Sequence, residues 1–159
     1  MILTGPEIEK QVLLKNIKIE PFNISQLNPN SYNYRIGDYY QCLNDNKPKK
    51  IPKKGITLLP NKLYLCSTFE VIGSEKYIVS LIGRSSIGRL GLYVQCHSDL
   101  SNLGKEHKWT LELCCVQPIL IYPRMIIGQI SFWTVKGKIY NLYKGGYTKF
   151  DLPHKSKSK

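Results

Sequence analysis

No run of about 18 consecutive apolar residues occurs anywhere in the 159-residue chain, which excludes a membrane-spanning helix. Residues 1–14 lack the basic start and apolar centre of a secretory signal. Cysteine is present without a framework. The five residues, Cys42, Cys66, Cys96, Cys114 and Cys115, are odd in number, two are adjacent, and no Cys-x-x-Cys occurs. This excludes a disulfide scaffold and speaks against zinc, so the thiols read as reduced and mostly buried, as in a cytoplasmic protein. Internal repeats and linkers are also missing. Acidic residues are few, 11 against 23 lysines and arginines, for a net charge of +12. Such an excess suits nucleic acid, an anionic membrane surface or a phosphorylated small ligand. Much of it is clustered, with five lysines in 47–54 and three in the tail 154–159, as expected of solvated loops and tails. Neither a recognition helix nor a stacking-aromatic pattern appears, which disfavours nucleic acid.

What is present is a series of short strands. Residues 4–15 suit a helix, with Thr4 as a cap, Pro6 in the first turn, and Ile8 and Val12 as an apolar stripe. Residues 32–36 alternate and end at Gly37. Strands follow over 55–59, 63–68 and 76–82, separated by Pro60-Asn61 and Gly73-Ser74, with the lysine- and proline-rich 45–54 as a loop. Residues 93–96, 109–115, 119–122 and 126–133 complete the set. Eleven tyrosines fit this β-rich pattern. The spacing predicts one mainly β domain over 1–151, a β-sandwich or barrel-like fold, with 152–159 as a disordered basic tail.

Two stretches carry chemistry. Residues 81–92 read Leu-Ile-Gly-Arg-Ser-Ser-Ile-Gly-Arg-Leu-Gly-Leu. A strand runs into Gly83, and Arg84, Ser85 and Ser86 follow at once. A short helix over 85–90 would point free N–H groups at the turn, and Arg84 adds a forked cation. Ser85 and Arg89 lie four apart, so both can face one pocket. This describes either a phosphate-binding turn or a serine-capped surface helix with solvated arginines. The second stretch is Trp109-Thr-Leu-Glu-Leu113. Period two puts Trp109, Leu111 and Leu113 on one face and Thr110, Glu112 and Cys114 on the other. Glu112 either faces water or lines a pocket beside a cation such as Arg89, as a general acid and base requires.

Five segments together resemble the dCTP deaminase family, within the larger trimeric dUTPase fold. They are residues 26–37 (Gln-Leu-Asn-Pro-Asn-Ser-Tyr-Asn-Tyr-Arg-Ile-Gly), 58–69, 83–92, 110–113 and 122–132 (Tyr-Pro-Arg-Met-Ile-Ile-Gly-Gln-Ile-Ser-Phe). They come in the family's order, and the Gly-Arg-Ser-Ser-x-x-Arg-Leu-Gly-Leu block is specific. The resemblance implies a distorted dUTPase-like barrel or sandwich, with a short N-terminal helix and a second after the Gly-Arg-Ser-Ser turn. It implies a homotrimer with active sites at subunit interfaces. It also implies a zinc-free reaction in which magnesium enters only with the substrate triphosphate. By the family pattern Glu112 shuttles protons, Ser85 helps hold the water, Arg89 orients Glu112, and Arg84 and Ser86 bind phosphate. A backbone carbonyl at Ser98 would help hold the water.

Two departures stand out. Where the family has Ile-Asp-Pro-Gly, this chain has Ser101-Asn102-Leu103-Gly104, so Asn102 can bond a sugar hydroxyl but is no carboxylate. In the C-terminal closing segment Tyr147 is kept, while Gly146 and Phe150 stand where lysine and glutamine are expected. Lys144 or Lys149 is then left to reach the phosphates. The resulting expectation is deamination of a cytosine deoxynucleotide, most simply dCTP to dUTP and ammonia. Its alternatives are a changed cytosine substrate, a dUTPase or dUMP-forming enzyme (disfavoured by Asn102), and a nucleotide-binding regulator without turnover.

Overall fold

Period-two alternation turns most of this chain into strands, and apolar residues on one face of each strand close them around a single interior. In the computed structural model, residues 1–94, 98–146 and 151–156 are described. Helix α1 (Gly5–Leu13) opens the chain. Thr4 takes the expected N-cap position, without a capping bond from its side chain, and Ile8 is fully buried. The strands are β1 (Lys18–Glu20), β2 (Leu27–Asn28), β3 (Ser31–Cys42), β4 (Lys49–Lys50), β5 (Ile56–Leu58), β6 (Tyr64–Thr68) and β7 (Val71–Ser74). After them come β8 (Tyr77–Gly83), helix α2 (Ser85–Gly88), β9 (Leu92–Val94), β10 (Gly104–His107), β11 (Thr110–Cys115), β12 (Ile119–Ile121) and β13 (Ile126–Thr134). The chain is mainly β, and the two α-helices among the described residues lie where the sequence puts them.

The main sheet runs β8-β13-β3-β6-β11-β9, with β2 and β4 paired to β3. Its ends nearly meet. Helix α2 joins β8 to β9, and a Cβ at Gly83 would lie only 3.7 Å from Val94 Cβ. The result is a nearly closed barrel. Its interior holds Tyr32, Tyr34, Ile36, Leu81, Leu111, Ile130 and Phe132, none of which has accessible surface. Each such side chain contributes about 1.5–3 kcal/mol of transfer free energy. A three-stranded sheet, β1-β7-β10, and a two-stranded one, β12-β5, lie beside it.

Several boundaries differ from the sequence reading. Strand β3 does not stop at Gly37. It passes through a register shift between Ile36 and Tyr40 and continues to Cys42. Inside the lysine-rich loop, Lys49 and Lys50 pair with Tyr40 and Tyr39. Gly73-Ser74 is strand rather than turn. A Cβ at Gly73 would meet Glu106 Cα at 2.5 Å, so glycine there is what admits β10 against β7. The turn falls just beyond, where Ser74 Oγ accepts from the N–H groups of Lys76 and Tyr77, both at 3.0 Å.

A polar corner after β6 ties three strands together. Glu70 is fully buried. Its carboxylate accepts from Arg35 Nε at 2.6 Å and from the Arg35 backbone N–H at 2.9 Å. Thr68 Oγ1 donates to the Glu70 carbonyl at 2.7 Å and accepts from the Trp109 N–H at 2.9 Å. Phe69 lies between two guanidinium groups, Arg35 at 4.7 Å and Arg124 at 4.6 Å from its ring centroid. Cys66 and Cys115 are buried and Cys42 and Cys114 half-buried, all unbridged, and burial pushes the Cys66 thiol well above its usual range. No helix among the described residues is long and apolar enough to cross a membrane.

Arg35→Leu leaves the Glu70 carboxylate buried without its cation. A loss of about 3–5 kcal/mol is expected, read as a lowered midpoint in urea unfolding.

Candidate functional site

Strand β11 is the element on which the site is built. It pairs on both sides, with β6 (Leu113 opposite Tyr64) and with β9 (Leu113 opposite Val94). Leu111, Leu113 and Cys115 are buried in the barrel, whereas Thr110, Glu112 and Cys114 are half-buried on the opposite face. The alternation expected from the sequence is present. On that face Thr110 and Glu112 line a partly open cavity of about 480 Å³.

Apolar walls come from Leu43, Leu63 and Leu65, the last directly across from Glu112 in β6. Ser98, Leu100 and Asn102 enter from the segment between β9 and β10. Lys105, His107, Lys108 and Trp109 follow on β10 and the turn into β11. Tyr143, His154 and Ser156 come from the C-terminal segment. Among the described lining residues Glu112 is the one carboxylate, surrounded by an apolar floor and a cationic rim. No cluster of three or more metal-binding side chains occurs among the described residues.

Trp109 acts as a pivot. Its N–H reaches Thr68, and its Nε1 donates to the Ile72 carbonyl at 3.0 Å. The His107 ring stacks on it, with centroids 4.6 Å apart and planes at 25°. Nδ1 of His107 lies 3.1 Å from the Lys105 carbonyl. Burial pushes the His107 imidazole below its ordinary pKa, opposed by that bond and by Glu106, so the neutral ring is favoured near neutrality.

The C-terminal segment is fastened by backbone. Tyr143 N–H donates to the Leu103 carbonyl at 2.8 Å, and Tyr143 forms a parallel bridge with Gly104. A Cβ at Gly104 would sit 2.6 Å from the Tyr143 carbonyl oxygen, so the approach depends on glycine. Beyond it, Pro153 is buried, and His154 and Ser156 reach the cavity.

The sequence-derived residues therefore divide. Glu112, Ser98 and Asn102 share the cavity. Arg84, Ser85, Ser86 and Arg89 are not among its described lining residues. They sit on and beside α2, with Ser85, Ser86 and Arg89 exposed and Arg84 half-buried. The N-cap of α2 is Arg84 rather than a serine, and its side chain makes no capping bond. Asp99 lies outside the lining and its carbonyl accepts from Leu81 at 2.7 Å. Lys144 is exposed next to Tyr143 but does not line the cavity. Tyr147 and Lys149, with Gln95, Cys96 and His97, lie outside the described residues. The sequence reading passed over Lys105, His107, Lys108 and Tyr143. The available signal was three basic residues within 105–109, next to a tryptophan.

The sequence model of a family described as dCTP deaminase-like matches residues 2–135. The chain is 44% identical over 156 residues to a protein of Hathewaya histolytica named "dCTP deaminase, dUMP-forming", covering 92% of this chain and 90% of that one. A protein of Cytophaga hutchinsonii with the same name is 43% identical over 157 residues, at 92% and 90% coverage. A Rhodopirellula baltica protein named "dCTP deaminase" is 42% identical over 147 residues, covering 86% and 74%. Among solved structures, the 2'-deoxycytidine 5'-triphosphate deaminase of Agrobacterium tumefaciens superposes with a TM-score of 0.69 at 18% identity over 82% of this chain. The present chain spans 47% of that solved chain, and the likeness establishes the fold.

Gly104→Ala forces Tyr143 off β10. Faster amide hydrogen exchange at Tyr143 and faster protease cleavage after Lys144 are expected, with the barrel strands unchanged.

Proposed function

The chain belongs to the dCTP deaminase-like family, and from that premise we propose that it deaminates dCTP by hydrolysis at C4 of the cytosine ring. The observation that carries the reading is the position of Glu112, fixed by a doubly paired strand and directed into a cavity that also holds Ser98 and Asn102. In this reading water adds to C4, Glu112 takes its proton, the C4–N bond breaks, and Glu112 returns protons to the ring and the departing ammonia. The Ser98 carbonyl positions the water and Asn102 meets a sugar hydroxyl. One carboxylate serving as base and then acid typically supplies about 10²–10⁴ in rate. Magnesium arrives as part of the substrate, bound to its phosphates.

The Arg84, Ser85, Ser86 and Arg89 set reaches the reaction from a neighbouring copy in a homotrimer. Apolar residues crowd around α2, with Ile82 45%, Leu90 50%, Tyr93 52% and Val116 64% exposed. Exposed apolar side chains of this size on and around one short helix support an interface there. With Ser85 on the water, Arg89 beside Glu112, and Arg84 and Ser86 on phosphate oxygens, two subunits complete one site.

For the end product, the sequence reading placed dUTP first because Asn102 replaces an aspartate. The names of the relatives from Hathewaya histolytica and Cytophaga hutchinsonii favour dUMP, and we adopt dUMP with release of pyrophosphate.

Ammonia release from dCTP with magnesium is the direct test. Glu112→Ala is expected to lose about 10²–10⁴-fold or more in kcat while the protein stays folded. Wild type that binds dCTP without releasing ammonia would instead make the chain a nucleotide-binding regulator. The shared site has its own test. Glu112→Ala and Arg89→Ala proteins, each inactive alone, should regain about a quarter of wild-type activity after mixing and reassembly, because random exchange pairs an intact cavity with an intact arginine at that frequency.

A further inference from the structure

A phosphate-cleaving step needs a base to take the proton of its attacking water. The carboxamide of Asn102 cannot do this, and Glu112 is committed to the ring chemistry. Ammonium groups have no lone pair to offer. Among the described lining residues this leaves the imidazoles. We propose that His107 is the general base for a second hydrolysis in this cavity, the attack of water on the α-phosphorus of the nucleotide. The proposal rests on the reading of the cavity as the nucleotide site.

Tautomer and orientation support it. The Lys105 carbonyl can only accept, so Nδ1 of His107, 3.1 Å away, carries the hydrogen and Nε2 carries the lone pair. The ring cannot swing freely, because it stacks on Trp109 at 4.6 Å, and Trp109 is held by Ile72 and Thr68. Burial keeps the imidazole neutral against the pull of Glu106, so the lone pair is available. Lys105 and Lys108 flank it on the same rim and supply positive charge where the phosphates become more negative. His154 also lines the cavity, with its Nδ1 at a backbone carbonyl, but it comes from the C-terminal segment rather than from the strand and turn that lead into Glu112. The chemistry balances without a further reactant. A bond forms between the water oxygen and the α-phosphorus, and the bond from that phosphorus to the α,β-bridging oxygen breaks. Pyrophosphate leaves with the bond electrons, and the water proton goes to Nε2.

The test follows ammonia, pyrophosphate and nucleotide products separately, from dCTP and from dUTP supplied directly, for wild type, His107→Phe, His107→Gln and His154→Phe. His107→Phe keeps an aromatic ring on Trp109 and removes the base. The ratio of pyrophosphate to ammonia is expected to fall about 10²-fold or more in both His107 variants, with dUTP accumulating from dCTP. His154→Phe should leave that ratio where it is. Pyrophosphate and ammonia falling in step in the His107 variants, or a fall in their ratio confined to His154→Phe, would overturn the assignment. Wild type that releases ammonia but no pyrophosphate from either nucleotide also overturns it, and leaves the deaminase reading standing. Wild type that releases no ammonia sinks the deaminase reading. In that case, loss of pyrophosphate release from dUTP in the His107 variants still supports the base, and its persistence refutes it.

Discussion

A carboxylate without access to water sets where strand β11, the carrier of Glu112, begins. Glu70 sits where β6 ends, and its charge is met from one direction by the Arg35 side chain and backbone N–H. The neighbouring Thr68 grips the backbone at Trp109, the residue from which β11 begins. One satisfied polar cluster thereby sets three registers at once, those of β3, β6 and β11. The indole of Trp109 extends the cluster to β7 and carries His107 on its face. Removing a member of such a cluster exposes the others to an unscreened charge, which is why it transmits order over several strands.

The fold was largely legible because its information is local. Alternation identified the strands 63–68, 76–82, 109–115 and 126–133, and a proline in the first turn marked the helix. Where the reading failed, the deciding contact came from far away in sequence. Gly73-Ser74 carries a turn signature, yet it lies in a strand because β10 needs the space a side chain would fill. The lysines at 49 and 50 look like loop and are held by Tyr40 and Tyr39. Gly37 reads as an end and is instead passed through by a strand that shifts register.

The site was legible by a different route. Alternation singled out Glu112 and left its surroundings open, a resemblance to a family added Ser98 and Asn102, and the structure gathers those three around one cavity. Arg84, Ser85, Ser86 and Arg89 belong to the same pattern but lie on a different part of the surface, since a motif records order along the chain and not separation in space. The rim residues Lys105, His107 and Lys108 fell outside the pattern altogether. Their place beside the cavity depends on the path of β10 and of the turn after it, a stretch too short and too polar to announce itself by alternation.

The cavity has walls of two mechanical kinds. Leu65 and Glu112 stand on strands paired on both sides, where a change is felt throughout the barrel. Ser98, Asn102 and Tyr143 stand on irregular chain joined to it by a few backbone bonds, and His154 lies on the C-terminal segment beyond them. Substitutions in the second group touch no register of the main sheet, so the lining can change there while the strand that carries Glu112 keeps its place. The shape and charge of this cavity can therefore be altered one rim residue at a time, without rebuilding the barrel core.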